Sequence, residues 1–149
     1  MIQPIEPSNE MYEMRNNFLR PNHTVEECVF PTDDLTDSFH FGYFEGEELA
    51  AVGSFHRETY QNDQGLGYRM RGLVSSWEHR NEDFKKKIVE AGIETLVERG
   101  ADYIWINARH MDYGMFEEMG FKFLSKEFQI ENIGRHKVAL LKITKNEEE

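Results

Sequence analysis

Met11, Met14 and Phe18 recur at three- and four-residue spacing behind Pro7-Ser8-Asn9, which predicts a capped amphipathic helix, with Arg15 on it, ending at Pro21. Residues 21–38 carry Pro21, Pro31 and Asp33-Asp34 and read as an irregular connection. An aromatic strand over Phe39–Phe44, a turn at Glu45-Gly46-Glu47 and a returning strand over Glu48–Arg57 make a hairpin. Gln61-Asn62-Asp63-Gln64-Gly65 is a second turn cluster. From Gly67 to Ser76 the chain alternates, with Tyr68, Met70, Gly72 and Val74 on one side and Arg69, Arg71 and Leu73 on the other. Glu82–Arg99 reads as a long helix closed by Gly100, where a left-handed cap is expected. Tyr103–Asn107 is a short buried strand, and Asp112–Met119 a short helix ended by Gly120. Phe121–Ile130 and His136–Ile143 form a last hairpin around Asn132-Ile133-Gly134. The order α β β β α β α β β predicts an α/β chain with a mixed sheet flanked by helices.

Length and charge narrow the function. A chain of 149 residues suits one domain over 1–149, with the acidic tail at 145–149 expected to be disordered. The net charge of −11 argues against a nucleic-acid or anionic-membrane partner, since both need a positive field. Cys28 is the single cysteine, so neither an internal disulfide nor a cysteine zinc cage is available. No signal peptide and no membrane-spanning run is apparent, so the expected location is the cytoplasm. His23, His40, His56, His79, His110 and His136 show no i, i+4 pair and no His-x-His, so no metal is expected unless tertiary folding assembles a site.

Three segments carry further information together. They are Met70-Arg71-Gly72-Leu73-Val74 running into Trp77-Glu78-His79-Arg80, then Arg99-Gly100-Ala101-Asp102-Tyr103-Ile104-Trp105-Ile106-Asn107-Ala108-Arg109, then Met115-Phe116-Glu117-Glu118-Met119-Gly120-Phe121. In this order the chain resembles the GNAT acetyltransferase superfamily, from about Glu10 to Ile143. The resemblance implies a mixed, mostly antiparallel sheet whose two central parallel strands splay apart around acetyl-CoA. It implies pantetheine contacts along Leu73, Val74 and Ser75, and phosphate contacts over Arg80, Asn81, Glu82, Asp83, Phe84, Lys85 and Lys86. Asn107 and Phe116 complete the implied cosubstrate site. The pyrophosphate would rest on backbone N–H groups where the loop opens into a helix, the usual anion site of a helix N-terminus.

Two positions depart from the family pattern. The phosphate loop of the family reads Gln/Arg-x-x-Gly-x-Gly/Ala. Arg80 matches its first position, Asp83 and Lys85 stand at the glycines, and Asn81 replaces a further one. Asp83 is a good helix N-cap whose carboxylate competes with phosphate for N–H donors. Lys85-Lys86-Lys87 compensates in charge; helical spacing turns Lys85 toward the apolar arc, roughly 100° from Phe84, where it either reaches the phosphate cleft or stays solvated. The family's acid tyrosine is replaced by Phe116, and Tyr113, one turn earlier, either substitutes or packs at the core rim. Glu58 and Glu78 are the candidate bases. Arg69 and Arg71 are expected to pair with Glu58 or another internal carboxylate, the alternative being an acidic group on the acceptor.

The expected activity is acetyl transfer from acetyl-CoA to a primary amine, small molecule or peptide, by direct attack in a ternary complex. Tyr113 and Glu78 are its candidate acid and base, and a homodimer is compatible with the resemblance. The alternative is an inactive chain of the same fold that binds a small molecule or protein partner.

Overall fold

The computed structural model describes residues 1–61 and 63–143; Asn62 and the acidic tail at 145–149 lie outside the described residues. The chain packs as two compact units, one of residues 1–56 and 70–92, the other of 57–69 and the chain from Ile93 onward. Among the described residues no helix is long and apolar enough to cross a membrane.

In the first unit the strands β1 (Ile2–Ile5), β2 (Phe39–Glu45), β3 (Glu48–Arg57) and the second part of β4 (Gly67–Ser75) are neighbours in that order. β1 pairs antiparallel with β2 from Ile2↔Tyr43 to Ile5↔His40, and β2 with β3 from Phe39↔Phe55 to Glu45↔Glu48. β1 escapes the hydrophobic pattern because it is four residues long and contains Pro4, which a sheet tolerates only at its edge. Helix α1 (Asn9–Phe18) begins where the pattern predicts, with Met11 N–H donating to the Ser8 hydroxyl at 3.3 Å. Its Met11 and Met14 pack with Val52 and Val74. Gly53 and Leu73, one residue away on the strands, face Ile88 of helix α2 (Phe84–Arg99) instead, as strand alternation requires. Gly92 of α2 lies against Phe55, so close that a methyl group would stand 2.2 Å from the ring.

A buried polar network ties the connection at 21–38 to this unit. Asp33 accepts from Arg15 Nη1 at 2.7 Å, from Arg15 Nη2 at 2.9 Å and from Phe30 N–H at 2.8 Å. Arg15 also donates to the Cys28 carbonyl at 2.7 Å and the Ser54 hydroxyl at 2.8 Å. His40 Nε2–H donates to the Asp33 carbonyl at 3.1 Å, which leaves Nδ1 to accept from Ser54 at 2.7 Å. Burial works against the Asp33 carboxylate, yet the Arg15 fork holds its pKa below the ordinary value. Gly72 in β4 has φ of 66°, and a side chain there would meet Arg15 Nε at 2.8 Å; glycine permits both the local left-handed backbone and the close approach.

The second unit orders the first part of β4, then β5 (Tyr103–Arg109), β8 (Gly134–Lys142) and β6 (Lys122–Phe123), with β7 (Phe128–Ile130) also on β8. β4 and β5 pair in parallel from Gly67↔Tyr103 to Arg69↔Trp105, three rungs of strands nine and seven residues long. β5–β8, β6–β8 and β7–β8 are antiparallel, so the sheet is mixed and mostly antiparallel, as expected. Tyr103, Trp105, Val138 and Leu140 pack together with Tyr60 and Phe128. The strand expected over Phe121–Ile130 is broken into β6 and β7. Ser125 in the break accepts from Val138 N–H at 3.0 Å, a side-chain bond to β8. Gly100 caps α2 with φ of 73°. Helix α3 (Tyr113–Glu118) buries Phe116 against Phe121.

Candidate active site

β4 delivers the segment that carries most of the expected site. Leu73 and Val74 are buried and Ser75 is half-buried. Ser76 N–H is spent on the Ala50 carbonyl at 2.8 Å, while its hydroxyl is buried without a hydrogen-bond partner. A short 3₁₀ turn, Trp77–His79, follows, and Trp77 is 69 % exposed. Arg80 donates to the Trp77 carbonyl at 2.8 Å and lies over its ring, with the guanidinium carbon 4.2 Å from the centroid. Asn81, Glu82 and Asp83 are exposed.

Helix α2 starts at Phe84, two residues later than its pattern suggests. The first helical bond runs from Lys87 N–H to the Asp83 carbonyl at 3.1 Å, so Asp83 occupies the N-cap position. Glu82, expected in the first turn, belongs to the preceding bend because the cap falls after it. Phe84 is a core wedge stacked on Tyr43 at 4.0 Å, so only its backbone is available to a ligand. Lys85 and Lys86 are half-buried; Lys87 is exposed, 4.0 Å from an Asp83 carboxylate that is itself 63 % exposed. The resulting end of a 16-residue helix is a positive dipole terminus flanked by lysines, with one carboxylate partly offset by Lys87. A helix N-terminus of this kind offers backbone N–H donors and a positive dipole end to an anion.

Glu78 is 68 % exposed, with its carboxylate 3.8 Å from His79 Nε2. Glu58, the other candidate base, pairs with Arg69 at 3.4 Å, as internal pairing predicts, and Arg69 also lies over Trp105 at 4.8 Å. Arg71 stacks on Phe30 at 3.9 Å.

The remaining expected residues belong to the second unit. Asn107 is half-buried on β5 opposite Val138, and Phe116 is completely buried. Tyr113 opens α3, packs edge-on to Phe123 at 5.3 Å and donates its hydroxyl to Glu127 at 3.0 Å. Burial, then the Glu127 bond, raises its pKa above the ordinary phenol value, so it keeps a proton to give. Lys137 covers the same ring at 4.9 Å, and Arg135 pairs with Glu127 at 3.7 Å. Sequence reasoning missed Glu127, Lys137 and Ser76. The first two become neighbours of Tyr113 only when β7 and β8 pair, and nothing local marks Ser76 as unpartnered.

No family model matches the chain. A protein of Bacillus subtilis (strain 168), the uncharacterized N-acetyltransferase YitI, is 31 % identical over 128 residues, which cover 85 % of this chain and 86 % of that one. The chain belongs to the GNAT N-acetyltransferase superfamily. Solved structures share its fold at lower identity. Escherichia coli ElaA superposes with a TM-score of 0.76 at 14 % identity, over 94 % of this chain and 97 % of that chain. An aminoglycoside 6'-N-acetyltransferase complexed with coenzyme A gives 0.72 at 12 % identity, over 99 % of both chains. This acetyltransferase is therefore an acyl-transferring enzyme of the GNAT fold, in agreement with the resemblance carried by its three sequence segments.

Proposed function

We propose that the chain transfers an acetyl group from acetyl-CoA to a primary amine, small molecule or peptide, by direct attack in a ternary complex in the cytoplasm. The observation that carries this reading is the continuity of Leu73–Ser75 with a loop that opens onto the lysine-flanked N-terminus of α2, where the Ser76 hydroxyl is buried without a partner. Leu73, Val74 and Ser75 orient the pantetheine arm, and the segment from Arg80 to Lys86 receives the phosphates through backbone N–H groups and lysine charge. The neutral amine attacks the thioester carbonyl, the carbon–sulfur bond breaks, and the sulfur leaves as a thiolate. Tyr113 supplies the proton that the thiolate takes, and Glu78 or a water beside it accepts the proton that the amine loses. Holding the reactants together accounts for much of the acceleration. The acidic net charge favours encounter with cationic acceptors.

Calorimetric titration with acetyl-CoA, CoA and dephospho-CoA tests the reading. Micromolar binding of acetyl-CoA, with dephospho-CoA weaker, is expected. Absence of binding at millimolar ligand overturns it and makes the chain a binding protein on this scaffold.

A further inference from the structure

The histidines have no metal-ligand spacing along the chain, yet folding assembles three ligand-bearing side chains at the first unit's β3–loop junction. His79 Nε2 lies 3.9 Å from Glu48 Oε1 and 3.8 Å from Glu78 Oε1, and the three ligand atoms all lie within 4.8 Å of one another. Glu48 begins β3 and Glu78 sits in the 3₁₀ turn after β4, so the register of the sheet makes this meeting. The imidazole is 15 % exposed and packs on Phe84 at 5.3 Å, and its Nε2 is buried with no hydrogen-bond partner.

An imidazolium paired with carboxylates closes to about 2.7–2.9 Å, because the charge-assisted hydrogen bond is short. Neither contact closes that far. Ligands on a tetrahedral divalent ion, with bonds of about 2.0–2.2 Å, stand about 3.4 Å apart. Glu48 and Glu78 are 54 % and 68 % exposed, so small rotations of their ends cover that difference. We propose that Glu48, Glu78 and His79 form a binding site for a divalent transition-metal ion of the zinc class, with the solvent side open to a fourth ligand. One ring nitrogen and two carboxylate oxygens suit Zn²⁺, Co²⁺ or Mn²⁺ better than Mg²⁺, which favours oxygen ligands alone. Glu78 is also the proton acceptor of the proposed acyl transfer, so a bound ion withdraws it from that role, and the test below reads metal binding instead of activity.

The test is a titration of the full chain with Zn²⁺ against a chromogenic chelator, repeated with Mg²⁺ and with the variants His79→Gln and Glu48→Gln. One equivalent of Zn²⁺ bound by the parent protein, Mg²⁺ at least tenfold weaker, and each variant at least tenfold weaker than the parent are the expected results. No binding at roughly millimolar Zn²⁺, or variants that keep the parent affinity, overturns the proposal. Should His79→Gln fail to fold, the exposed Glu48→Gln change carries the comparison. In the unmodified protein, Mn²⁺ must broaden the amide resonances of Glu48, Glu78 and His79 first; broadening confined to other histidines refutes the site.

Discussion

Acidification loads His56 with a proton in the unfolded chain before it does so in the folded one. The ring is buried; Ser38 donates its hydroxyl to the Thr32 carbonyl at 2.6 Å and so receives the His56 Nδ1–H at 3.1 Å. That leaves Nε2 with its lone pair, 3.7 Å from Asp33 Oδ1. Burial lowers the pKa from 6.5 to about 4, against the pull of the Asp33 charge. The unfolded state therefore binds more protons between those two values, and stability falls as pH drops through that window. At about pH 5 the loss relative to about pH 8 is about 2 kcal/mol from this group alone. His40 and His136 are shifted down as well, chiefly by burial, and add to the same trend. Urea unfolding of the parent and of His56→Asn at both pH values isolates the effect, because an asparagine amide can donate to Ser38 yet does not titrate. The variant is expected to be less stable at high pH but to lose about 2 kcal/mol less on acidification. Equal pH slopes in the two proteins would refute the linkage argument.

Three further outcomes follow from the geometry. Tyr113→Phe is expected to lower kcat about a hundredfold with little change in KM for either substrate, the signature of a lost proton donor; unchanged kcat assigns Tyr113 to packing alone. Asp83→Gly removes a carboxylate from the N-terminus of α2, and calorimetry should record acetyl-CoA binding about two- to fivefold tighter. Weaker binding would mean that the helix cap matters more than the charge. Gly92→Ala places a methyl group 2.2 Å from the Phe55 ring, and denaturant unfolding should register a loss of about 1–3 kcal/mol, despite alanine's better helix propensity. A stabilised Gly92→Ala variant would show that Phe55 can move aside at no cost.

Spacing and turn residues along the chain were enough for α1, the β2–β3 hairpin, β4, α2 and α3, because helical periodicity, strand alternation and glycine stops are local properties. β1 was not legible, since four residues with a central Pro4 become a strand only by pairing with β2. The break between β6 and β7 was hidden for a related reason, as both are defined by what β8 offers them. The phosphate-loop candidates could be named because Leu73 to Lys86 are contiguous, and Asp83 stands at the N-cap of α2 as its residue type predicts. Contacts between distant positions could not. Arg15 meets Asp33 and Ser54, Tyr113 meets Glu127, and Glu48 meets His79 across loops and registers. By itself, then, the sequence determined which segments form elements and which family pattern they carry, for those depend on the chemistry of near neighbours. Only the tertiary structure decided which distant polar side chains meet, because that depends on strand register and loop path that no local pattern encodes.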